Sequence, residues 1–180
     1  MAYTSGGRPG WEACESSFGP MAEEVEVLLL LGGNVGRPVE TLQRAEEAIG
    51  ARCGRIVARS RDHWTEPWGF SDERLFLNRA LLVRSASSLP ELLATVLSIE
   101  TELGRVRDPL QRFAARTIDI DLLLAGERIL TTPDLVLPHP RLQQRAFALA
   151  PAVDIVPHWR HPLLGRTVLQ LLNDLRGLPA

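Results

Sequence analysis

The run Thr117-Ile118-Asp119-Ile120-Asp121-Leu122-Leu123-Leu124 constrains the fold more than any other stretch. It has the aliphatic content of an inner β-strand, yet it carries two carboxylates. Side chains alternate across a strand with a rise of about 3.3 Å per residue, so Asp119 and Asp121 fall on one face about 7 Å apart. Ionised carboxylates are costly to bury unless a cation or strong donors compensate them. Just upstream, Arg105, Arg107, Arg112 and Arg116 lie within twelve residues, opposed only by Asp108. Two readings follow. The acids could form ion pairs with these arginines on a half-buried strand, or they could hold magnesium beside a guanidinium cluster, an arrangement suited to moving a polyphosphate group.

The rest of the chain supplies elements to pack around that strand. Residues 1–24 are rich in Gly, Ser, Pro and Glu and read as a disordered extension, with Met21 as an alternative start. Ordered structure, expected over 25–180, opens with the run Val25 to Leu31, a central strand ending at Gly32-Gly33-Asn34-Val35-Gly36. Pro38 suits the first position of a helix whose apolar face is Val39, Leu42, Ala45 and Ile49, stopping at Gly50. Strands are expected from about Gly54 to Ser60 and from Asn78 to Ser85, separated by a long aromatic loop. Ser88 caps a second helix from Leu89 towards Gly104. After the acidic strand come a hairpin-like segment beyond Gly126, a helix near Arg141 to Ala146 and a last helix near Thr167 to Leu175. Strand, helix, strand, strand, helix, strand is the order of an α+β ferredoxin-like βαββαβ core, with an antiparallel sheet, helices packed on it and C-terminal additions.

Composition narrows the functional classes. The chain has 180 residues, 45% of them hydrophobic, and a formal charge of −2, which fits one globular domain without a chain-wide surface for polyanions. No nucleic-acid partner is expected. No apolar run reaches the length of a membrane span, and no secretion signal is apparent. With only Cys14 and Cys53, a reducing, cytoplasmic setting is expected. All twenty basic residues are arginine, so Schiff-base chemistry and phosphate-loop lysines are excluded. Any handling of ATP must rely on arginine and metal.

Three further motifs each admit two readings. Gly32 to Gly36 lies where a phosphate loop would, but such glycines more often serve a tight turn. Thr65-Glu66-Pro67-Trp68-Gly69 and Phe76-Leu77-Asn78 offer rings and a primary amide, which a planar heterocycle needs for stacking and edge recognition. Phe76 could instead be core, and Asn78 could bridge a turn. In Pro138-His139-Pro140 a histidine is fixed in a rigid segment, either as a phosphate donor or proton carrier or simply as part of a turn.

In this order and spacing, LLLLGGNVGRPVETL at 28–42, TEPWGF at 65–70, FLN at 76–78, ELGRVR at 102–107, RTIDIDLLL at 116–124 and LPHPRLQQRAF at 137–147 resemble the 6-hydroxymethyl-7,8-dihydropterin pyrophosphokinase family. The resemblance covers about residues 25 to 172. It implies transfer of pyrophosphate from ATP to a pterin alcohol in folate biosynthesis, with two magnesium ions on Asp119 and Asp121. Arg105, Arg116 and Asp121 are then the catalytic residues. Glu100, Arg105, Arg107, Arg112, Arg116, Leu122, His139 and Arg145 are assigned to the nucleotide. The pterin is expected between Phe76 and Phe147, read by Asn78 and framed by Thr65, Pro67 and Trp68. A monomer is expected. The chain departs from the family pattern at Phe113-Ala114-Ala115, which stands for Trp-Gly-Pro with one extra residue after Arg107, and at Leu97, Gly33 and His63, where glutamine, serine and tyrosine are usual. Two other classes remain to be separated by experiment: a nucleotidyltransferase built on the same acids, and a non-catalytic nucleotide sensor.

Overall fold

Strand β1 (Val25–Gly33) is aliphatic at both alternations: Val27, Leu29 and Leu31 face one side of the sheet, Leu28 and Leu30 the other, and all five are buried. Only a strand covered on both faces reads this way. The computed structural model describes residues 23–69, 71–106 and 115–177. Residues 1–22 of the expected extension, Phe70, and Arg107, Arg112, Phe113 and Ala114 lie outside the described residues.

After β1 come α1 (Pro38–Arg52), β2 (Arg55–Arg59), β3 (His63–Thr65), β4 (Phe76–Ser85), α2 (Leu89–Glu102) and β5 (Asp119–Ala125). The strand order is β2-β4-β1-β5, every neighbouring pair is antiparallel, and β3 also pairs with β4. Two βαβ units interleave in the ferredoxin-like manner expected from the element order. Leu42, Ala45 and Ile49 of α1 and Leu92, Val96 and Ile99 of α2 pack with Leu29, Leu81 and Ile120 on one face. Ser88 and Glu91 close a reciprocal capping box that fixes the start of α2.

The C-terminal helices form the third layer. A hairpin of β6 (Leu130–Thr131) and β7 (Val136–Leu137) leads to a 3-10 turn at Leu142–Gln144, then α3 (Ala146–Ile155) and α4 (Val168–Arg176). Leu149, Ala152, Leu171 and Leu172 from these helices cover Leu28, Leu30, Leu123 and Leu124.

Four details differ from the sequence expectation. Helix α1 runs through Gly50 to Arg52, and the chain turns instead at Gly54, whose φ of +138° suits glycine. The aromatic loop contains β3, three residues being too few to show an alternation. Strand β4 begins two residues earlier than expected, at Phe76, because it pairs with Thr65. The helix expected at 141–146 is a single 3-10 turn followed by α3, which accommodates Pro151 against the sheet.

Candidate active site

The strand register builds the floor of a cleft at the C-terminal end of β1. Gly32 pairs with Asn78 of β4 on one side and with Asp119 of β5 on the other; one step back, Leu30 pairs with Ala80 and Asp121. Asn78 and Asp119 are thus two strand spacings apart, about 10 Å, with no side chain between them. A Cβ on Gly32 would meet Asn78 Oδ1 at 3.2 Å. The glycine keeps open a slot between an amide and a carboxylate. Gly33 has a different role: a Cβ there would lie 2.4 Å from the Thr117 carbonyl oxygen, and the Asn34 and Val35 N–H groups donate to Arg116 O. Gly33 therefore packs against the entry to β5, a close approach distinct from the tight turn expected of these glycines, which falls at Gly36 with its φ of +72°.

Thr65, Glu66, Trp68, Phe76, Arg116, Arg141, Arg145 and Phe147 complete the walls of a cleft of about 750 Å³, its open mouth included, and Asp119 and Asp121 both face into it. Ile118, Ile120 and Leu122 take the opposite alternation and enter the core. The alternation that places the two acids together also corrects one expectation. The Leu122 side chain packs under α1 and α2 and cannot line a nucleotide site.

The acids are met by guanidinium groups. Arg105 and Arg116 donate to Asp119, Arg105 also donates to Ile118 O at 2.6 Å, and Arg145 Nη1 donates to Asp121 at 3.1 Å. Glu100 is buried behind β5, where it accepts the Ile120 N–H at 2.7 Å and pairs with Arg105 Nε at 3.5 Å; it orients an arginine and a strand and does not line the cleft. Burial and the neighbouring charge of Asp119 push the Asp121 carboxyl up to about 6, against the pull of Arg145. Two acids that repel each other in this way form a donor set that a divalent cation would relieve. Hard oxygen ligands, with the remaining positions left to phosphate and water, suit magnesium. Arg145 Nε is buried without a partner, a further donor available to an anionic ligand.

The opposite wall is aromatic. The rings of Trp68 and Phe147 are 6.0 Å apart, the Arg145 guanidinium lies 5.6 Å from both ring centroids, Arg141 lies 5.6 Å from Trp68, and Arg116 lies 5.8 Å from Phe76. Asn78 Nδ2 donates to Thr65 Oγ1 at 2.9 Å, which leaves Oδ1 towards Gly32. Pro67 lies behind this wall, on a second groove. His139 does not line the cleft. Its Nδ1 accepts the Arg141 N–H at 3.2 Å, and burial with Arg145 and Arg141 nearby holds its pKa down to about 4, so it is neutral with Nε2 as the donor. Arg141, Glu66 and Gly32 line the cleft although the sequence assigns none of them a ligand role; Glu66 and Gly32 lie within motifs noted for other reasons. Arg141 had a signal: it directly follows the Pro138-His139-Pro140 segment.

The fold agrees with comparisons to known proteins. The family model for 7,8-dihydro-6-hydroxymethylpterin-pyrophosphokinase matches residues 28–157. The 2-amino-4-hydroxy-6-hydroxymethyldihydropteridine pyrophosphokinase of Methylorubrum extorquens is 42% identical over 146 residues, 81% of this chain and 90% of that protein. The enzyme of the same name from Synechocystis sp. is 36% identical, over 81% of this chain and 73% of that one. Among solved structures, a Plasmodium falciparum HPPK-DHPS triple mutant superposes with a TM-score of 0.68 at 16% identity, covering 86% of this chain and 45% of that chain. This protein spans less than half of that longer one, and at such identity the likeness is one of fold. The chain belongs to the 7,8-dihydro-6-hydroxymethylpterin-pyrophosphokinase family.

Proposed function

We propose that this protein transfers pyrophosphate from ATP to the hydroxymethyl group of 6-hydroxymethyl-7,8-dihydropterin in folate biosynthesis, giving the pterin diphosphate and AMP. The observation that carries the reading is the row Asn78–Gly32–Asp119 across three strands. It puts a group able to read a heterocycle's edge and the paired carboxylates into one cleft, with an open slot between them.

In this reading the pterin ring occupies the slot between Phe76 and Phe147, its polar edge on Asn78 and its hydroxymethyl arm directed along the floor towards Asp119 and Asp121. The hydroxymethyl oxygen attacks the β-phosphorus of ATP, the bond from that phosphorus to the oxygen bridging to the α-phosphorus breaks, and AMP leaves with the bridging oxygen. Asp121 is the candidate acceptor for the hydroxyl proton. Arg116, Arg141 and Arg145 face the cleft and bind the phosphates, while Arg105 acts through Asp119. Magnesium, as two ions held by Asp119 and Asp121, supplies charge neutralisation on the phosphates when bound. The residues' main contribution is alignment, since an in-line transfer needs little covalent chemistry from the protein. Arg107 and Arg112 remain assigned to the nucleotide by resemblance alone.

A monomer is the proposed working unit. Cys53, a buried free thiol, suits a reducing cytoplasm. The test is product analysis: purified protein with ATP, magnesium and the hydroxymethyl dihydropterin should yield AMP and pterin diphosphate in equal amounts. Release of ADP would contradict the pyrophosphoryl step, release of pyrophosphate would assign nucleotidyl transfer, and tight ATP binding without product would assign a sensor.

A further inference from the structure

The segment Arg61-Asp62-His63, which feeds β3, is tied to both layers of the molecule. Arg61 and His63 both reach Asp154 on one side of the sheet, and Asp62 reaches Arg79 on the other. On the α3 side, Asp154 accepts from Arg61 three times, from the backbone N–H at 3.2 Å, from Nε at 3.2 Å and from Nη2 at 2.9 Å, and it shares a hydrogen bond with His63 Nε2 at 2.8 Å. On the α1 side, Asp62 receives a two-pronged contact from Arg79, Nε at 2.8 Å and Nη2 at 3.0 Å, while Arg79 Nη1 donates to Glu46 at 3.0 Å. Arg79 is 1% exposed, the most completely buried cation among the described residues. A buried arginine with both its carboxylate partners in place makes a rigid, directional joint.

These joints lie outside the cleft, but what they hold lies inside it. Strand β3 is joined to β4 over only three residue pairs, His63 with Asn78, Trp64 with Leu77 and Thr65 with Phe76. Thr65 accepts from the Asn78 amide, and Trp68, three residues on, packs against Phe147. Phe147 sits in the first turn of α3, the helix that ends beside Asp154. Asp154 therefore bridges the two elements that bear the aromatic wall, and Arg79 is the immediate neighbour of Asn78.

We propose that Asp154 and Arg79 are positioning residues for the heterocyclic substrate: gripping residues 61–63 from opposite layers, they set Thr65 and Trp68 at a fixed distance from Asn78 and Phe147. The proposal rests on the pterin reading of the cleft. It assigns the two residues no part in nucleotide binding, because their contacts are with the β3 side of the cleft and not with Asp119, Asp121 or the arginines around them. The partners' protonation agrees with a tight joint, as the contacts from Arg61 and His63 hold the Asp154 carboxyl down to about 2.

The test compares Asp154→Asn, Asp154→Glu and wild type, all as full chains. Affinities are measured separately for ATP with magnesium and for the hydroxymethyl dihydropterin in the presence of a non-hydrolysable ATP analogue. Asp154→Asn is expected to weaken pterin binding at least tenfold while ATP affinity stays within twofold, and Asp154→Glu, which restores the charge, to recover most of the loss. Amide hydrogen exchange over residues 63–68 is expected to quicken in Asp154→Asn, a readout independent of the substrate. Arg79→Lys keeps a buried cation and avoids unfolding; it should shift pterin affinity in the same direction. Unchanged pterin affinity in a folded Asp154→Asn protein, or an equal loss for both substrates, would overturn the anchoring role. Failure of the wild type to bind the pterin at all would instead overturn the functional reading on which it rests.

Discussion

The two faces of the central sheet are built from the same strands and obey different rules. Beneath α1 and α2 the face is apolar apart from the ion-paired Arg79 and the capping Ser85, with Val27, Leu29, Leu31, Leu77, Leu81, Ile118, Ile120 and Leu122 all buried. The other face starts the same way, with Leu28, Leu30, Ala80 and Leu123 under α3 and α4, and then changes within one residue step to Gly32, Asn78 and Asp119. Where helices cover both sides, side chains are chosen for packing. Where the third layer stops short, the same strands turn an amide and two acids towards a cleft, with no side chain at Gly32 between them. Stability and chemistry are therefore separable on this sheet, by face and by position along β1.

Breaking the polar end should give the largest effect. Asp121→Asn is expected to lower turnover at least a thousandfold, about 4 kcal/mol, with the melting temperature at or above that of wild type, since a repulsive carboxylate is removed; steady-state AMP release and calorimetry on the same sample check both halves. The converse substitution belongs to the apolar face. Leu29→Ala, at a fully buried position, should cost about 3 kcal/mol of stability, read by denaturant titration, while the folded fraction keeps its turnover number. If either variant moved both quantities strongly, the division between faces would fail.

A substitution at the boundary sharpens the comparison. Gly32→Val places a β-branched residue in a strand but fills the slot beside Asn78, so pterin affinity should fall about thirtyfold, near 2 kcal/mol, with ATP affinity held; equilibrium titration of each substrate separates the two. The smallest expected effect is on acid stability. The folded-state pKa of Asp154, about 2, is below its unfolded value near 4. Its contribution is therefore complete above pH 4 and lost as the pH falls through 2. Because its partner Arg61 is largely exposed, solvent screening limits the contribution to about 1 kcal/mol. The stability gap between wild type and Asp154→Asn should close as the pH falls from 4 to 2.

The legibility of the sequence follows the same division. Periodicity exposed the core strands and both core helices, because Leu42, Ala45 and Ile49, or Leu92, Val96 and Ile99, repeat with the helical period and carry most of the burial. The shared face of Asp119 and Asp121 was readable too, since alternation is a local property of a strand. What alternation along one strand cannot reveal is register between strands. That Gly32 stands between Asn78 and Asp119, and that Arg141 joins Arg145 at the cleft while His139 does not, depend on pairings across 40 or more residues. Leu122, beside Asp121 in sequence, turns its side chain to the opposite face, which leaves only its backbone for the nucleotide role the resemblance implies. Strand β3 escaped notice because its stability comes from β4 and from the ion pairs of residues 61–63, neither of which leaves a periodic trace.

The central claim is that the two acids of β5 serve one cleft as the cation-binding centre of a pyrophosphoryl transfer. Anomalous scattering from manganese, in crystals grown with a non-hydrolysable ATP analogue and the hydroxymethyl dihydropterin, tests this most directly. Two peaks are expected, both touching carboxylate oxygens of Asp119 or Asp121 and phosphate oxygens of the nucleotide, with Arg145 moved off Asp121. Manganese bound by phosphates alone, with Asp119 and Asp121 still engaged by Arg105, Arg116 and Arg145, would contradict it.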